Sequence, residues 1–177
     1  MKKEISKLEM ARIILTVVVM VMWITLLGMV IKQRIEIRNE QMKQEQTILE
    51  EREYLISEYK DFKTGISEDI ISLVSKLQGS TTLSFSKNEI NDMEKSLLAI
   101  VEAINKNENL EKVTVADDFN IDMYESILVL REDLRGFTIS FASAVDNKNF
   151  NVLDNSVQYL ERIVNKINYI DGKIKDI

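Results

Sequence analysis

Apolar residues fall into two kinds of pattern along this chain. From Ile13 to Ile31 they form an unbroken run, I-I-L-T-V-V-V-M-V-M-W-I-T-L-L-G-M-V-I, with no charge in nineteen residues. At 1.5 Å of rise per residue a helix of that length covers roughly 28 Å, close to the hydrocarbon thickness of a bilayer. Further on, apolar positions recur at helical spacing instead. Leu55, Tyr59, Phe62, Ile66, Ile70, Leu73 and Leu77 follow at steps of three and four, which puts one stripe on one helix face. Gly79-Ser80-Thr81-Thr82 ends that helix. A second begins after Ser86-Lys87-Asn88-Glu89, a capping-box sequence, and buries Ile90, Met93, Leu97, Ile100, Val101 and Ile104. Asn105-Lys106-Asn107-Glu108-Asn109 closes it, and a connection runs to about Phe119. The third helix carries Ile127, Leu130, Leu134, Phe137, Phe141 and Ala144; Asp146-Asn147-Lys148-Asn149 is the turn. The fourth is expected to bury Leu153, Val157, Leu160, Val164, Ile167, Ile170 and Ile174.

Between the two patterns, residues 32–54 favour helix but are poor in apolar positions. Ile35, Met42 and Leu49 stand seven apart, which permits a coiled-coil seam on an otherwise solvated stalk. The expected fold is therefore all-α: a tail (1–12), a single transmembrane helix (13–31), a charged helical stalk (32–54) and an antiparallel four-helix bundle (55–177).

Composition supports helices throughout. There is no proline, and glycine occurs five times in 177 residues, so the residues that punctuate turn-rich β folds are nearly missing. The apolar run ends in Gly28-Met29-Val30-Ile31-Lys32 and has no A-x-A pattern, so it is expected to remain uncleaved as a single-pass anchor in membrane lipid. Orientation is open. Lys2, Lys3, Lys7 and Arg12 precede the run and Lys32, Arg34, Arg38 and Lys43 follow it, a balance from which the positive-inside rule draws no side.

Chemistry is narrowed by two zeros, histidine and cysteine. They remove disulfides, thiolate nucleophiles, the usual zinc sites and Ser-His-Asp or Cys-His catalysis. Residues 32–177 carry 19 basic and 27 acidic side chains, a net charge of −8, which is unsuited to nucleic acid. Asp117, Asp118 and Asp122 are the densest acidic group, but they lack EF-hand spacing and stand at a helix start, where the dipole favours them as caps. Arg131, Asp133 and Arg135 read as a solvated face with local ion pairs. No phosphate loop or dinucleotide fingerprint occurs. Hence no catalytic, cofactor-binding or metal-ligating residue is expected.

Leu97-Leu98-Ala99-Ile100-Val101-Glu102-Ala103 resembles the L-L-A-V-V-E-A segment of LemA-type membrane proteins, and Arg131-Glu132-Asp133-Leu134, followed by Ala144-Val145, resembles that family's R-x-D-Y and A-I blocks. The likeness covers about a third of the chain. It implies an N-terminal span and a helical body, and no defined reaction. The family's L-I-P-N-L and Y-P-D-L motifs are absent; Ile70-Ile71-Ser72-Leu73-Val74 is a worn version of the first. The expectation from these features is a non-enzymatic interaction or scaffold module at the cell envelope, working with a protein partner or by self-association. The alternative is a sensory or ligand-binding bundle that signals through a partner.

Overall fold

In a computed structural model the chain is all-helical; the structure describes residues 7–77, 85–107, 110, 113–114, 117–148 and 150–177. The turn at Gly79–Thr82, the basic residues Lys2 and Lys3, and Glu108, Asn109 and Asn149 lie outside the described residues, as do the side chains of Arg12 to Ile14 and Leu77. Among the described residues there are four helices and no strand: α1 (Lys7–Leu77), α2 (Lys87–Lys106), α3 (Asp118–Asn147) and α4 (Phe150–Lys175). The chain divides into two compact units, Met1–Thr47 and Ile48–Ile177, and α1 contributes to both.

In the first unit the apolar run is one helix long and apolar enough to cross a membrane. Its large side chains from Leu15 to Ile31 are 44% to 69% exposed, so no described part of the chain covers them. Thr25 does not break the apolar surface. Its Oγ1 donates to the carbonyls of Val21 (2.7 Å) and Met22 (2.9 Å), which satisfies the hydroxyl within the helix.

The second unit holds one core to which all four helices contribute. From α1 come Leu55, Tyr59, Phe62, Ile66 and Leu73; from α2 Met93, Ile100 and Ile104; from α4 Ile163 and Ile170. The line expected on α3, Ile127, Leu130, Leu134, Phe137, Phe141 and Ala144, is buried at every position. Burying a Leu, Ile or Phe side chain contributes about 1.5–3 kcal/mol, so this shared core is the main source of stability.

Local signals set the helix starts. Ser86 Oγ accepts from the Glu89 N–H, and the Glu89 carboxylate accepts from the Ser86 N–H at 2.7 Å, completing the capping box. Asp117 caps α3 by accepting from the Asn120 N–H at 3.0 Å. Helix order follows from pair contacts. Lys76 meets Asp92 and Gly65 lies against Ala103, so α2 runs back along α1. Tyr159 packs on Gly136, Arg162 reaches Asp133, and Tyr169 reaches Asp122, so α4 runs back along α3. The Gly136 contact is close: a Cβ there would stand 2.2 Å from the Tyr159 ring.

Two expected stripes are corrected at three positions, Val157, Val164 and Val101. On α4, Val157 and Val164 are 47% and 48% exposed, while Ser156, Ile163 and Ile170 are buried; Leu153, Leu160, Ile167 and Ile174 pack half-buried against the core as expected. At 100° per residue the buried line is turned by roughly 60° from the expected one, and Ile170 belongs to both. The reason is that α4 packs between α3, through Tyr159 and Tyr169, and α1, through the Ile167 carbonyl and Asp171. Small Ser156 fits the line between those contacts, and the valines fall on its rim. On α2, Val101 is 38% exposed and the buried line is Met93, Ser96, Ile100 and Ile104.

Candidate functional site

Exposed apolar residues on α2 and α3 define a candidate surface of the second unit. α2 and α3 run in opposite directions, with Arg131 Nη1 donating to the Asn107 carbonyl at one end (3.2 Å). Farther along the pair, Leu97, Leu98 and Val101 of α2 face Thr138, Ile139 and Ala142 of α3 across a groove of about 440 Å³. Leu98 and Ile139 are 61% and 71% exposed. Among the described lining residues, Glu94 is the one that carries a charge. Thr138 adds no polar demand, because its Oγ1 donates to the Arg135 carbonyl at 2.9 Å. Such a groove offers mainly apolar contact area, with the Glu94 carboxylate at its edge.

A second concavity, about 520 Å³, lies between α1 and α4 and is lined mostly by polar and charged residues. Tyr59 donates its hydroxyl to Asp171 Oδ1 (2.8 Å) and to the Ile167 carbonyl (3.2 Å), and Lys63 Nζ pairs with Asp171 Oδ2 (2.5 Å). Burial, then the hydrogen bond to Asp171 and its negative charge, push the Tyr59 phenol far above its ordinary value. Burial pushes the Asp171 carboxyl up, but hydrogen bonds from Lys63 and Tyr59 and the charges of Lys63 and Lys175 outweigh it and hold the group below the carboxylate range. These contacts tie α1 to α4 as a strut between the two helices.

The acidic group read from the sequence is dispersed. Asp117 caps α3 and pairs with Arg52 at 3.2 Å, and Arg52 in turn stacks on the Phe119 ring at 4.7 Å. Asp122 accepts from Tyr169 and Lys173, and those hydrogen bonds lower its carboxyl below the usual range. Among the described residues no three acidic side chains converge on a cation position. Arg131, Asp133 and Arg135 also separate. Arg135 makes the expected local pair with Glu132 (2.8 Å), whereas Asp133 reaches Arg162 on α4 (3.0 Å) and Arg131 reaches Asn107.

These ion pairs predict an acid limb in stability. Asp171 and Asp122 have folded values below their unfolded ones, so their contribution is present above about pH 4 and is lost as pH falls through the depressed values. Both are partly exposed, so screening keeps each contribution to about 1 kcal/mol or less. Melting curves between pH 2 and 7 should fall at the acid end, and Asp171→Asn should flatten that fall. An unchanged slope in the variant would remove Asp171 from the account.

Comparison with family models, with characterised proteins and with solved structures returns no match. What the residues define is an all-helical chain with one long apolar N-terminal helix and a separate helical unit bearing an apolar groove.

Proposed function

We propose that this is a single-pass membrane protein, anchored by residues 13–31, whose second unit is an antiparallel four-helix bundle serving as a non-enzymatic docking module at the cell envelope. The carrying observation is the pairing of a buried core with an uncovered apolar groove. Ile66, Leu73, Ile100, Ile127 and Leu134 are 0% exposed, while Leu98 and Ile139 are 61% and 71% exposed within a few residues of them.

The occupant proposed is a helix of a partner protein. A trough between two antiparallel helices accepts an amphipathic helix with anchors at i, i+3 and i+7. The net charge of −8 on residues 32–177 and Glu94 at the rim select a partner helix with basic flanks. The exposed run Leu15–Ile31 is suited to lipid, and the resemblance to LemA-type proteins at Leu97–Ala103 agrees with an anchored helical body.

The test is purification of the full chain from membranes in mild detergent, beside Leu98→Glu/Ile139→Glu. Both positions are exposed, so the double variant should keep its melting temperature within a degree or two. A partner that is retained by the parent chain and lost from the variant supports the reading. A parent chain that emerges alone, or a partner held equally by both, sinks it.

A further inference from the structure

Within the first unit, residues 32–47 of α1 are rich in charge, yet one sector of the helix has none. Counted at 100° per residue, Ile35, Asn39, Met42 and Gln46 fall within about 60° of one another. They are spaced by four, three and four, with Arg38 and Lys43 outside the sector on either side. Ile35 and Met42 are 55% and 50% exposed, and Asn39 and Gln46 are exposed as well. Apolar residues at one heptad position and amides at the other make the pattern of a short coiled-coil seam.

We infer that this seam pairs with the same seam of a second copy of the chain, parallel and in register. The inference rests on the anchor reading. Two copies whose spans lie in one bilayer present their stalks in one direction and at one height, so each residue meets its own twin. Under that symmetry a charged side chain meets a like charge. An amide meets a partner that can both donate and accept, which makes Asn39 self-complementary at the centre of the seam. A different protein would be recognised more readily through opposite charges, and the sector offers none. Four layers are too few to hold two helices together in free solution, but confinement to a membrane raises the effective concentration. Arg38 of one copy lies beside Lys43 of the other, so screening by salt strengthens the pair.

Because the chain has no cysteine, single cysteines report without background. The full-length variants Asn39→Cys and Met42→Cys lie on the seam; Glu40→Cys and Gln44→Cys lie on the opposite side. After mild oxidation in membranes, the seam variants should give a band at twice the 20.5 kDa chain mass, in yield about fivefold above the outer ones. That yield should rise with salt, and adding Asn39→Lys to Met42→Cys should cut it at least about threefold by placing like charges together. Equal yields at all four positions, or no dimer, overturn the inference. Alkaline carbonate extraction of the same samples separates the two claims. A chain that stays in the pellet with a silent seam refutes only the pairing; a chain released to the supernatant refutes the anchor and the pairing with it.

Discussion

Phe141→Ala lowers the stability of the unit Ile48–Ile177 by about 3–5 kcal/mol, the range for truncating a fully buried phenylalanine. Phe141 is 0% exposed and its ring centroid stands 5.6 Å from that of Phe137, with the planes tilted by 47°. Truncation therefore removes a ring–ring contact and leaves a void in the shared core, where α3 has partners on both sides. For a domain of this size the loss corresponds to roughly 10–20 °C in melting temperature. Ile139→Ala, only two residues away, is the internal control: the side chain is 71% exposed and its truncation should cost less than about 0.5 kcal/mol. Thermal unfolding of both variants, followed by circular dichroism, checks the pair. Equal losses would mean that the core does not run along the line from Ile127 to Ala144.

That contrast also shows which features local sequence carries. On α3 the periodicity names the buried line correctly because the helix is enclosed by α2 and α4, so nearly every apolar residue on its inner face meets a partner. The Ser86–Glu89 capping box is legible for a similar reason: both halves of the motif lie within one turn. Helix α4 is different. Its valines, Val157 and Val164, extend the apolar stripe as plausibly as any core residue, and Ser156 does not look buried at all. The phase of that helix is set by Tyr159 on Gly136 and by Asp171 between Tyr59 and Lys63, contacts whose partners are 23 to 112 residues away. No local pattern encodes them. The groove escapes for the same reason, since Leu98, Val101 and Ile139 are apolar residues in apolar surroundings, and only the helix pairing decides that they stay at the rim. The rearranged partners of Asp122 and Asp133 likewise depend on which face α4 presents.

The largest effect of all is expected at the apolar run. Val21→Arg together with Ile24→Arg should move the chain from the membrane pellet to the soluble fraction or abolish its insertion. A charged residue near the centre of a span costs about 2.5–3.5 kcal/mol on the insertion scale, so two cost about 5–7 kcal/mol. At about 1.4 kcal/mol per factor of ten, that lowers partition into the bilayer several-thousandfold or more. The same variant separates an anchor from its rivals. A helix buried by its own protein would transmit two buried charges into unfolding, but Val21 and Ile24 are 56% and 69% exposed, so the melting of the unit Ile48–Ile177 should be unchanged. A cleaved leader would shed an N-terminal tag from the mature chain, whereas an anchor keeps it. A parent chain found in the membrane with its tag, and a double variant that is soluble yet folded, is the expected combination. A tag lost from the parent would make the run a leader, and a variant that unfolds would make it part of the core.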